Sequence, residues 1–123
     1  MRFAQDTASG ANVIRAYADG ELTINGEVVR TSVVVTPERL MRDWPPESFE
    51  DLEEGHLAAL AELGAEIVLI GTGRRQRFPP PRFTAALMAR GIGVEVMDTA
   101  AACRTYNILL SEDRNVAAAL FMI

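Results

Sequence analysis

The chain has 123 residues and a formal net charge of −5; all twelve of its basic residues are arginine, and Cys103 and His56 are each alone in kind. Without lysine, Schiff-base chemistry and the lysine-dependent phosphate loop are excluded. A lone cysteine excludes an intrachain disulfide or a CxxC pair, and with one histidine it leaves too few soft ligands for a structural zinc, so neither metal nor cofactor is expected.

With 49% hydrophobic and 24% charged residues, the composition is that of a folded domain. An acidic chain repels phosphate backbones, so no nucleic-acid partner is expected. No apolar run approaches the ~20 residues of a membrane-spanning helix. Met1 to Asp6 lacks the apolar stretch of a signal peptide, and a cytoplasmic location is the expectation.

Residues 1–10 are small and polar and read as a flexible arm, leaving 11–123 as a single domain. Asn12 to Tyr17, Glu21 to Ile24 and Glu27 to Thr36 read as strands, the last two joined by Asn25-Gly26. Asn-Gly is a strong hairpin signal, because the tight turn needs positive φ. The β-branched run Val33 to Val35 suits a strand covered on both faces. Thr36-Pro37 ends that strand, and a connector leads to Trp44-Pro45-Pro46, where the tryptophan suits either an exposed anchor or a lid on the core.

A helix is predicted from Ser48, as N-cap with Asp51 three residues on, to Gly64. Phe49, Leu52, Leu60 and Leu63 form its apolar stripe, and Glu50, Asp51, Glu53 and Glu54 its acidic face. His56 lies on the apolar stripe and reads as a packed or boundary histidine rather than a general base.

Ile67 to Ile70 is an unbroken apolar run, as in an interior parallel strand, and it ends at Gly71-Thr72-Gly73. An arginine-rich loop (Arg74, Arg75, Arg77) and Pro79 to Pro81 lead into a helix over about Arg82 to Arg90, stopped by Gly91. A strand over Ile92 to Met97, a helix capped by Asp98 or Thr99, and a strand over Val116 to Ile123 complete the chain. The second half is thus β-α-β-α-β with parallel strands, and the first half is antiparallel. The expected fold is α/β: a mixed sheet with N-terminal antiparallel hairpin strands followed by a parallel core.

Ligands of open α/β sheets bind beyond the carboxyl ends of parallel strands. Gly71, Thr72, Gly73 and Thr99 share that rim, with Arg74, Arg75, Arg77 and Arg82 close in sequence. Exposed amides, a helix N-terminus and planar cations suit a carboxylate or phosphate. The same residues also serve plain structural ends: Gly-Thr-Gly is a common exit from a strand, Thr99 a helix cap, and the arginines partners for the acidic helix. Tyr106 and Asn107 can present a hydroxyl and an amide near the rim or merely cap a turn. Cys103, on the inner face of its helix, suits a small buried hydrophobe better than a nucleophile. No catalytic residue is assigned.

Three stretches carry a resemblance: Leu69-Ile70-Gly71-Thr72-Gly73 with Phe78-Pro79; Gly91-Ile92 leading to Val94-Glu95-Val96-Met97-Asp98-Thr99; and Ala102-Cys103-Arg104-Thr105-Tyr106-Asn107 with Glu112 to Ala119 after it. Together they resemble a family of small α/β proteins of unknown function from bacteria, archaea and eukaryotes. Its relatives include mitochondrial respiratory complex I assembly factor 3 and an adipogenesis-associated protein. The resemblance covers about residues 11–123. It implies a three-layer mixed α/β domain and, from the mitochondrial branch, a protein partner; it brings no catalytic residues.

The leading expectation is therefore a non-enzymatic binding or assembly-factor-like module. The runner-up is a carboxylate- or phosphate-binding protein or enzyme using Gly71 to Gly73 and the adjacent arginines. Self-association through the apolar terminal strand or Trp44 is compatible with either. A lysine-free, Ala- and Arg-rich chain is common in high-GC bacteria.

Overall fold

The computed structural model describes residues 10–123, so the expected arm, apart from exposed Gly10, lies outside the described residues. β1 (Ile14–Ala18), β2 (Glu21–Ile24) and β3 (Glu27–Val29) form an antiparallel three-stranded sheet. β2 and β3 meet at the predicted Asn25-Gly26 turn, with Asn25 at φ 54°. A bulge at Arg15 breaks the β1–β2 register, so that Ile14 pairs with Ile24 and Ala16 with Thr23.

The expected strand Glu27 to Thr36 is two strands in two sheets. Val29 pairs with Leu22, whereas β4 (Val33–Val35) belongs to a five-stranded sheet of order β5-β4-β8-β6-β7. The chain breaks where the buried Ser32 hydroxyl donates to the Pro46 carbonyl, which turns the backbone out of the first sheet. β5 (Leu40–Met41), a short strand the sequence does not announce, pairs with β4.

In the larger sheet β6 (Ile67–Gly71) pairs in parallel with both β7 (Gly93–Met97) and β8 (Val116–Leu120), and β4 pairs antiparallel to β8. The parallel β-α-β-α-β core and the antiparallel start agree with the expectation; the hairpin strands form a separate sheet. The terminal strand β8 is interior, which removes it as a surface for self-association.

Alternation along the central strands sends side chains to two cores. Val33, Val35, Leu69, Ala118 and Leu120 face α3 (Thr99–Ser111) and the small sheet. Val34, Val68, Ile70, Ala117 and Ala119 face the short helices of the other side. Three layers result, as the resemblance implies.

The predicted long helix from Ser48 is broken into a 3₁₀ turn over Phe49–Asp51, α1 (Glu54–Ala58) and a 3₁₀ turn over Ala59–Leu63. Ser48 bonds the Asp51 carboxylate and not a backbone amide. Leu52 is extended at φ −67°, ψ 134°, which lets its side chain enter the core but interrupts the helix. The chain restarts at Glu53, whose N–H donates to His56 Nδ1 at 2.9 Å. Gly64 closes the segment at φ 77°, a left-handed conformation that suits glycine. The second helical segment is likewise a 3₁₀ turn over Pro81–Phe83 followed by α2 (Ala85–Ala89), stopped by Gly91 at φ 77°.

Candidate functional site at the carboxyl rim

Parallel pairing of Gly71 with Met97 brings the ends of β6 and β7 to one rim, as the sequence predicts. Gly71 is required there by space: a Cβ would lie 2.9 Å from Leu120 Cδ2 and 3.0 Å from Thr99 Cα. Gly73 turns the chain at φ 99°.

The polar groups of the rim bond to one another. The Thr72 N–H donates to Met97 O at 2.9 Å, and the Thr99 N–H donates to Gly73 O at 2.9 Å. The Thr99 hydroxyl accepts from the Gly73 N–H at 2.8 Å and donates to Phe121 O at 2.6 Å. The Thr72 hydroxyl donates to Arg75 O at 2.7 Å and accepts from the Arg77 N–H at 3.1 Å. At the start of α3 the Asp98 carboxylate accepts from the Ala101 N–H at 2.8 Å and fills the place an external anion would take. With Thr99 fully buried, this is a strand-end lock in which the amides of Thr72 and Gly73 already have acceptors.

The arginines disperse. Arg77 pairs with Glu50 at 2.6 Å and lies 4.5 Å over the Phe49 ring. Arg82 lies 3.9 Å from Glu54, and Arg74 lies 3.2 Å from Asp19 across from the small sheet. The Arg77 guanidinium holds the Glu50 carboxyl below its ordinary value. Arg75 is exposed and has no side-chain partner among the described residues.

Tyr106 and Asn107 lie away from the rim, midway along α3. The buried Tyr106 hydroxyl donates to Asn12 O at 2.8 Å. Asn107 Nδ2 donates to Ile14 O at 2.8 Å, and its Oδ1 accepts from the Ile14 N–H at 3.1 Å. The pair clamps β1 to the helix. Cys103 is buried, and burial pushes its thiol up to about 12, the opposite of an activated nucleophile. Trp44 is a core residue, 5.3 Å from the Phe121 ring. Among the described residues no group of three His, Cys, Asp or Glu side chains is placed to hold a metal ion.

Beside the rim lies an open apolar groove of about 650 Å³, lined by Phe78, the three prolines, Thr84, Met88, Val94 and Val96. Sequence reasoning passed over it. The signal was Phe78 before three prolines, an aromatic in a segment too rigid to fold it inward.

The model of a family described as "Protein of unknown function (DUF498/DUF598)" matches residues 14–121. NADH dehydrogenase [ubiquinone] 1 alpha subcomplex assembly factor 3 of Danio rerio is 38% identical over 118 residues, 94% of this chain and 67% of that protein. The chain spans only about three fifths of the proteins of the same name from Xenopus tropicalis and Bos taurus. A 13 kDa major membrane protein of Francisella tularensis is 29% identical over 95% of this chain and 96% of its own length. Among the described residues no helix is long and apolar enough to cross a membrane. The crystal structure of a Bordetella parapertussis protein superposes with a TM-score of 0.88 at 39% identity, covering 94% of this chain and 99% of that one. With the family model spanning every strand of both sheets, the chain belongs to this family of unknown function.

Proposed function

We propose that the chain is a protein-binding module with an assembly-factor-like role toward a respiratory NADH dehydrogenase, acting in the cytoplasm of a bacterium. The observation that carries this reading is the 38% identity to an assembly factor across 94% of the chain. The rim supports it indirectly. Its amides and the Thr99 hydroxyl already bond protein atoms, so the competing carboxylate or phosphate site finds few donors there. In this reading Gly71, Thr72, Gly73, Thr99, Tyr106 and Asn107 have structural parts, and of the predicted residues Arg74, Arg75 and Arg82 remain accessible to a partner.

Deletion in the source organism, with reciprocal affinity purification and native gel separation, tests the proposal. The expected result is less mature NADH dehydrogenase and co-migration of the tagged chain with an incomplete form of it. A normal level of the mature enzyme, with no partner recovered in both directions, overturns it. Thermal stabilisation by a carboxylate or phosphate at Arg74 or Arg75 would then favour the anion site.

A further inference from the structure

β7 is an edge strand of the larger sheet, and its outer side is only partly closed. The Gly93 N–H donates to Glu66 O, and Met97 O accepts from the Thr72 N–H, so the odd-numbered residues of β7 face β6. Alternation turns the N–H and C=O groups of Val94 and Val96 outward. Gln76 Nε2 caps the Val96 carbonyl at 2.8 Å, and the remaining outward groups have no hydrogen-bond partner among the described residues. Unpaired edges are usually shortened, charged or covered. Here the edge instead adjoins the apolar groove, whose walls include Phe78 and Met88, 72% and 63% exposed.

Resting on the protein-binding reading, we propose that the β7 edge and this groove take an extended segment of a partner protein. Its backbone would bond Val94 and Val96, and its alternate apolar side chains would fill the groove between Phe78 and Met88. Its end beside Gln76 would be acidic. The charge argument comes from Arg75, which is exposed next to Gln76: seven other arginines have a carboxylate within 4 Å, whereas Arg75, like Arg39 and Arg104 farther off in sequence, has none among the described residues. In the central register a second copy fits poorly. Antiparallel pairing of two β7 strands centred on their middle residue would set Glu95 opposite Glu95.

The test uses a synthetic peptide of about six residues, alternating valine and threonine and ending in aspartate, titrated into the labelled chain. The expected result is saturable shifts of the Gln76, Val94 and Val96 amides and slowed exchange at Val94 and Val96. Phe78→Asp, at an exposed position, should weaken binding at least tenfold. Arg75→Glu should switch preference to a peptide ending in lysine. Shifts centred elsewhere, no saturation, or affinity unchanged in both variants overturns the groove. So does a dimer in sedimentation that Phe78→Asp dissolves, since a second copy would then hold the edge. In the source organism, a partner retained by Phe78→Asp leaves the protein-binding reading standing and removes this surface. Peptide binding without any NADH dehydrogenase phenotype does the reverse.

Discussion

Thr99 and Gly71 show how one atom more or less decides the rim. Thr99 is fully buried, and its hydroxyl ties the Gly73 amide of one strand end to the Phe121 carbonyl of another. Thr99→Val keeps the shape but leaves a buried donor and acceptor without partners, a loss of about 1–3 kcal/mol. Thr99→Ser keeps the hydroxyl and should lose less; urea unfolding of the two variants checks the order. At Gly71 an added methyl meets Leu120 and the Thr99 backbone, so Gly71→Ala should cost about 1–3 kcal/mol by overpacking. The pattern Gly-Thr-Gly was visible in the sequence. Its purpose was not, because the partners of Thr99 lie 26 and 22 residues away.

Between elements, the contacts that matter join distant parts of the chain. Asn107 on α3 holds the N–H and C=O of Ile14, 93 residues away. Asn107→Ala should raise amide exchange in β1 and β2 well before β8, whose five residues are all buried. A uniform rise across both sheets would refute a local clamp. Arg77 and Glu50 join the loop after β6 to the 3₁₀ turn at Phe49. Because the folded-state pKa of Glu50 is lowered, the pair's stabilisation is present above pH 4.5 and is lost as pH falls through the lower folded value. With Glu50 on the surface the pair is screened, so the prediction is read from titration of its carboxyl. Arg77→Ala should move that midpoint up toward the ordinary carboxylate range. The sequence showed the acidic helix and the arginines as opposite charges. It did not show which arginine met which acid, since that depends on the break at Leu52.

At the scale of the molecule, both sheets share one core. Leu22, Ile24 and Val29 of the small sheet pack in the same cluster as Tyr106 of α3 and Leu120 of β8. Thermal unfolding should therefore show one transition, with calorimetric and van't Hoff enthalpies equal. Early loss of the small sheet by an independent probe would separate the two. The edge strand β7 belongs to this scale too, for strand order alone decides which strand is left at a boundary.

By itself the sequence determined most of the local elements, though not β5 or the break at Leu52. Period-2 and unbroken apolar runs mark strands, Asn25-Gly26 marks a hairpin, and Gly64 and Gly91 stop their helical segments through backbone preferences that act within a few residues. Only the tertiary structure decided that Glu27 to Thr36 divides between two sheets, that the last strand lies inside one of them, and that Thr99 and Asn107 lock strands together. It also decided that an open apolar groove forms between Phe78, Met88 and the edge strand β7. These outcomes follow from hydrogen bonds and burial between residues far apart in the chain, whose free energies no local pattern contains.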